Sequence, residues 1–161
     1  MSNRLWKGVG GMVVWLGMTE DYKGKKKEGV ALLLSPRMSE GVMAYECVSS
    51  RIAWVRCKIG RLRCVFVCAY APVCKETRKG KEEMEEFWKN LNDCVEGFDV
   101  MERIIVLGDM NARVGDVGVG EVVGSHGVPG TNRNGECLVD FCAERRLFLA
   151  NTFFERRMIH R

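Results

Sequence analysis

Two short segments place groups able to handle a phosphate directly after apolar runs. Ile104-Ile105-Val106-Leu107 is followed by Gly108-Asp109-Met110-Asn111. Gly108 permits a sharp turn, and the two-residue offset brings Asp109 and Asn111 to one rim. An aspartate there can orient or deprotonate an attacking water. A neutral amide can donate to a phosphoryl oxygen without holding the product anion strongly. Asp and Asn are equally turn residues, so Gly-Asp-x-Asn also reads as plain strand punctuation. The second segment is Tyr70-Ala71-Pro72. Proline fixes the turn and holds the Tyr70 hydroxyl at the rim as a donor to a phosphate oxygen; the alternative is a half-buried aromatic capping the sheet edge.

The elements that must position these groups follow from periodicity. Short runs rich in Val, Ile, Leu, Trp and Cys predict strands at Met12 to Leu16, Val30 to Leu34, Val42 to Val48, Ile52 to Ile59 and Leu62 to Tyr70. The brief break at Gly60-Arg61 predicts an antiparallel hairpin. The last of these runs is apolar at nearly every position, as in a strand covered on both faces. Met84, Phe87, Trp88, Leu91, Cys94, Val95 and Phe98 recur at the spacing of one helical face, with Lys81, Glu82, Glu85, Glu86 and Lys89 opposite. Arg103 to Leu107 then reads as a buried strand, the glycine-rich Val114 to Gly130 as a loop, Gly135 to Arg146 as a second helix and Leu147 to Phe153 as a further strand. One layered α/β or α+β domain covering residues 1–161 is the expected architecture.

A chain of 161 residues, 47% hydrophobic and 29% charged, can bury one core. The net charge of +4 is clustered, with Lys23, Lys25, Lys26 and Lys27 in one expected loop and Arg145, Arg146, Arg156, Arg157 and Arg161 towards the end. Such clusters suit a polyanion, and they also serve simply as solvated charge. The eight cysteines contain no Cys-x-x-Cys pair and lie mostly in apolar runs, which points to reduced thiols. With only two histidines, a Cys/His zinc site has little to build with. Neither a membrane span nor the apolar core of a signal peptide is visible, so an intracellular protein of nucleus or cytoplasm is expected.

In chain order, Trp6-Lys7-Gly8, Gly29-Val30-Ala31-Leu32-Leu33-Leu34-Ser35, Ser50-Arg51-Ile52, Tyr70-Ala71-Pro72, Glu85-Glu86-Phe87-Trp88, Val106-Leu107-Gly108-Asp109-Met110-Asn111, Gly124-Ser125-His126-Gly127, Asn134-Gly135-Glu136 and Leu149-Ala150-Asn151-Thr152-Phe153-Phe154 share their order and spacing with a known group. The chain resembles the endonuclease/exonuclease/phosphatase superfamily, and within it the endonuclease domain of LINE-type retrotransposons. The resemblance implies a DNase I-like four-layer sandwich, two sheets between helices, that binds Mg2+ and cleaves a DNA phosphodiester by in-line attack of water. It assigns Tyr70 to the scissile phosphate, Asp109 to the nucleophilic water, and Asn111 to phosphate or metal-bound water. Asp109 and Asn111 are also its candidate metal contacts. Lys25, Lys26 and Lys27 become salt-sensitive contacts to the nucleic-acid backbone. DNA is the implied partner, with a reverse transcriptase domain in the intact parent. His126 matches a family loop rather than the catalytic histidine and takes no part.

Three departures accompany the match. Ser2-Asn3-Arg4 stands where the family places its metal-binding glutamate, and no carboxylate precedes Glu20. The later aspartate and terminal histidine would fall beyond Arg161. Val73 replaces a polar residue found in some relatives. The expectation is therefore a domain incomplete at both ends and an inactive or very weak nuclease. Two alternatives remain: a phosphoesterase of the same superfamily acting on an inositol or sphingolipid phosphate, and a non-catalytic remnant that binds nucleic acid or protein.

Overall fold

The computed structural model describes residues 4–8, 11–20 and 26–155, with side chains from residue 29 onward. Contacts divide the chain into two compact units, Met1–Tyr70 with Lys89–Gly108, and Ala71–Trp88 with Asp109–Arg161. No described helix is long and apolar enough to cross a membrane. The strands and helices together make a mixed α/β fold.

In the first unit, β1 (Arg4–Gly8), β2 (Gly11–Glu20) and β3 (Lys26–Leu34) form an antiparallel sheet. After the one-turn helix α1 (Pro36–Ser39), a second sheet takes β4 (Val42–Ser49), β5 (Ile52–Ile59), β6 (Leu62–Tyr70) and β7 (Arg103–Asp109) in that order. Strands β5 and β6 pair without a slip from Ile52↔Ala69 to Ile59↔Leu62, which makes Gly60-Arg61 the expected hairpin turn. The sheets pack face to face through Val30, Leu32 and Leu34 against Ala53, Val55, Cys57 and Cys68. Each fully buried aliphatic side chain there contributes about 1.5–3 kcal/mol. Strand β6 buries residues of both faces, as its unbroken apolar run predicts.

Helix α2 (Arg78–Glu96) begins earlier than the apolar face indicates, because Thr77 caps it by accepting the Gly80 N–H at 3.1 Å. Its exposed side carries Arg78–Glu82 and Lys89–Asp93 pairs one turn apart. In the second unit, Trp88 packs against Phe141 of helix α3 (Arg133–Glu144), ring centroids 6.1 Å apart. The glycine-rich segment is a loop, drawn together by the bridges Val114↔Thr131 and Val119↔Val123.

Three expectations are corrected. Arg103 to Leu107 forms the expected strand but is not buried: Ile104 and Val106 are half-buried, and Arg103, Ile105 and Leu107 are exposed. Leu147 to Phe153 is not a strand: Ala150–Thr152 is a turn of 3-10 helix. The Thr152 hydroxyl accepts from the Gly124 N–H at 2.7 Å and donates to the Leu149 carbonyl at 2.7 Å, so local bonds win over a ladder despite the apolar sequence. Lys26 and Lys27 do not lie in a loop but open β3, where Glu20 pairs with Lys26; Lys25 and Lys23 lie outside the described residues. Arg156, Arg157 and Arg161 lie outside them too.

An ion pair ties the turn after α2 to the second sheet. Glu102, 6% exposed, meets Arg56 through an Nε to Oε1 contact of 2.7 Å and an Nη2 to Oε2 hydrogen bond of 3.1 Å, and its carboxylate also accepts the Asp99 N–H at 3.2 Å. The Arg56 guanidinium lies 5.2 Å from the Trp54 ring centroid and 5.8 Å from that of Phe98. Glu102→Ala strands that cation and is expected to cost roughly 3 kcal/mol in chemical denaturation. A loss under about 0.5 kcal/mol, the range of an inconsequential surface change, would show that the pair does not hold this corner together.

All eight cysteines are free thiols. Burial pushes the Cys94 thiol from 9.0 up to about 12 and that of Cys142 from 9.0 up to about 11. The folded state thus resists forming these thiolates. The sign follows: their contribution to stability is full below pH 9.0 and is lost as pH rises towards about 11 for Cys142 and about 12 for Cys94. Denaturation midpoints measured from pH 8 upward should fall across that window, and Cys94→Ser with Cys142→Ala should flatten the fall. A decline of unchanged steepness in the double variant rules these thiols out as its source.

Candidate active site

Where β7 ends, the backbone leaves the sheet through Gly108 at φ +136°. A side chain is excluded there, since a Cβ would stand 1.9 Å from the Ala69 carbonyl oxygen. The turn that follows belongs to the second unit. Asn111 adopts the left-handed φ of +46°, a region that Asn tolerates better than most residues. Its N–H donates to Asp109 Oδ1 at 2.8 Å, and its Nδ2 donates to the Ala71 carbonyl at 2.8 Å. The Ala71 N–H in turn donates to the Asp109 carbonyl at 2.9 Å. Residues 109 and 111 are therefore joined to each other and to the backbone of Ala71 by three hydrogen bonds.

Two further asparagines fix this turn from beneath. Asn132 is the N-cap of α3, its Oδ1 accepting from the Gly135 N–H at 2.8 Å and the Arg113 N–H at 3.0 Å. Its Nδ2 donates to the Asn111 carbonyl at 3.0 Å. Asn134 is fully buried; its Nδ2 donates to the Pro72 carbonyl at 2.9 Å and reaches the Asn111 carbonyl at 3.5 Å, while its Oδ1 accepts from Trp88 Nε1 at 3.2 Å. Gly135 lets the start of α3 press onto this segment, because a Cβ would lie 1.8 Å from the Arg113 carbonyl oxygen. Sequence reasoning assigned no role to Asn132 or Asn134. Asn132 was findable as a cap ahead of a periodic run, whereas nothing local marks Asn134 as buried.

Tyr70 is placed by partners in the first unit. Its N–H donates to the Arg51 carbonyl at 2.9 Å, Arg51 Nη1 donates to the Tyr70 carbonyl at 3.3 Å, and the guanidinium stands 5.1 Å from the ring centroid. The next residue in the chain is Ala71, to which Asp109 and Asn111 are bonded. Of the nucleic-acid candidates, Lys26 and Lys27 sit at the start of β3, and Lys25 is outside the described residues.

Chemically, the turn presents Asp109 Oδ2 and Asn111 Oδ1, neither engaged by a hydrogen bond among the described residues, together with one spare amide N–H of Asn111. That set can accept a proton or orient a water, and can donate once to an oxyanion. Asp109 Oδ2 and Asn111 Oδ1 are the two side-chain oxygens there that could join a Mg2+ shell otherwise filled by water or phosphate, and among the described residues no three His, Cys, Asp or Glu side chains cluster to hold a metal. His126 is fixed in the loop by its own N–H, which donates to the Thr152 carbonyl at 2.9 Å.

Fold and site thus define a mixed α/β protein with an Asp-x-Asn turn clamped at the end of a sheet strand. No family model matches the chain. Two curated relatives do: Craniofacial development protein 2 of Tragulus javanicus, 28% identical over 133 residues, and its namesake of Bos taurus, 26% identical over 132 residues. Each alignment covers 81% of this chain and 22% of the relative. The similarity is distant, and the chain spans about a fifth of the length of the relatives it matches.

Removing the Asn134 amide leaves the Trp88 N–H and the Pro72 carbonyl without partners in a dry interior. Asn134→Ala is expected to lower unfolding free energy by about 2–4 kcal/mol, measured in urea. An unchanged midpoint would show that the asparagines do not brace the turn.

Proposed function

We propose that this chain carries part of a phosphodiester-handling domain of the endonuclease/exonuclease/phosphatase kind, related to LINE-type retrotransposon endonucleases and DNase I-like in its layering. The observation that carries the proposal is the Asp109–Asn111 turn, in which a carboxylate and an amide are fixed to each other and to the backbone of Ala71. Ordinary strand punctuation would not need two more asparagines to hold it. The distant similarity to Craniofacial development protein 2 over 81% of this chain supports the same ancestry.

In this proposal Asp109 orients or deprotonates water through Oδ2, its Oδ1 being held by the Asn111 N–H. Asn111 offers its second amide hydrogen to a phosphoryl oxygen, the first being spent on Ala71. Tyr70 is assigned as the hydroxyl donor to phosphate. DNA is the proposed polyanion, with Lys25, Lys26 and Lys27 as backbone contacts, and a longer parent bearing a reverse transcriptase is the proposed context. Because Ser2-Asn3-Arg4 stands where the resemblance places the metal-binding glutamate, catalysis by this chain is proposed to be absent or very weak. What persists is sequence-blind DNA binding.

Supercoiled plasmid incubated with the protein and magnesium is expected to stay supercoiled. In gel retardation, duplex DNA should be held at low salt and released as salt rises, unaffected by Asp109→Ala and weakened when Lys25, Lys26 and Lys27 are changed to Gln. Magnesium-dependent nicking that disappears in Asp109→Ala would replace this proposal with an active nuclease. No retardation at low salt would remove DNA as the partner.

A further inference from the structure

We infer that Cys57 and Cys64 form a site of reversible oxidation, a pair of opposed thiols that a low-molecular-weight disulfide such as oxidised glutathione converts to a cross-strand disulfide. The two residues face each other directly in the β5–β6 hairpin. Their side chains share the face of the sheet that meets β3, since Cys57 packs with Val30, Leu32 and Leu34, and residues opposed across an antiparallel pair point the same way. Both are free thiols, Cys57 with no exposed surface and Cys64 with 6%. Burial raises the pKa of the Cys57 thiol above its ordinary value, and the neighbouring Cys64 adds to the rise.

The hairpin sets their spacing. Gly60 has φ +61° and Arg61 has no positive φ, the pattern of a type II′ two-residue turn, whose closing pair Ile59↔Leu62 is hydrogen-bonded. Hydrogen-bonded and open pairs alternate along an antiparallel ladder, so Cys57↔Cys64, two rungs further in, is hydrogen-bonded as well, with about 5.5 Å between Cα atoms. A disulfide takes Cα separations of about 4.4–6.8 Å, so the backbone already meets the requirement. Of the other cysteines in this sheet, Cys47 and Cys68 face Ala53 from opposite sides, which puts them two strands, roughly 9.5 Å, apart and out of bridging range. Facing Cβ atoms in a ladder stand about 4.5–5.5 Å apart, whereas a disulfide draws them to about 3.5–4.5 Å, so closure strains the hairpin and keeps the bond reducible. Access comes from the hairpin end: residues 58–63 are all exposed, and only two rungs separate the pair from the turn. Cys64, the less enclosed, attacks the small disulfide as its thiolate, forming a mixed disulfide and releasing one thiol. The Cys57 thiol then gives up its proton, its sulfur displaces the second small thiol from the Cys64 sulfur, and the two released thiols carry the two hydrogens the protein has lost.

The test equilibrates the folded chain with excess oxidised glutathione, quenches it in acid, then unfolds it, alkylates the remaining thiols and maps them by mass spectrometry. Cys57 and Cys64 are expected to escape the label without gaining glutathione, and to take it in the reduced protein. Tryptic digestion should yield residues 57–58 joined to residues 64–75, with fragment ions placing the link at Cys64, and dithiothreitol should restore both labels. Cys57→Ser should leave one glutathione bound at Cys64, whereas Cys64→Ser should leave Cys57 unmodified. Circular dichroism melts check that each variant is folded, and the wild-type peptide map decides the pairing without them. Either of the two thiols still labelled in the oxidised wild-type chain overturns the proposal. So does a link from Cys57 or Cys64 to another cysteine, or the reverse asymmetry in the two serine variants.

Discussion

Asn134 has no access to water, yet each polar group of its side chain is answered, by Trp88 Nε1, by the Pro72 carbonyl and at longer range by the Asn111 carbonyl. A buried amide left unmatched is costly, so its partners are fixed relative to one another as firmly as the interior is packed. The second unit depends on this constraint. One amide reaches α2 through Trp88, the turn after Ala71 through Pro72, and the Asp109 turn through Asn111. Asn132 repeats the arrangement at the surface, where its role as cap of α3 and its bond to the Asn111 carbonyl are made by opposite ends of one side chain. The left-handed backbone of Asn111, costly in isolation, persists because its N–H, carbonyl and side-chain amide are all held.

In the first unit the constraint is of another kind. Two sheets share a dry layer of Val30, Leu32, Leu34, Val55, Cys57 and Cys68, whose burial is non-directional. Direction comes from close backbone approach. Gly108 lies where any Cβ would collide with the Ala69 carbonyl, so the end of β7 is fixed against β6 by the absence of a side chain. Arg56 and Glu102 fix the remaining corner, an ion pair whose cation also faces two aromatic rings.

Much of this was legible in the sequence wherever a period was strong. Ile52–Ile59 and Leu62–Tyr70 have the limits that their apolar runs and the Gly60-Arg61 break assign them, and the α2 face follows the i, i+3, i+4 recurrence. Legibility failed where local hydrogen bonds outcompete pattern. Leu147 to Phe153 is apolar enough for a strand, but Thr152 spends its hydroxyl and backbone on Gly124, His126 and Leu149. Lys26 and Lys27 look like loop residues by charge, yet pairing with β2 extends β3 through them. At the candidate site Asp109 and Asn111 were visible as an acid and an amide two residues apart. Their bracing by Asn132 and Asn134, more than 20 residues on, was not, because no short-range rule links a turn to a distant amide.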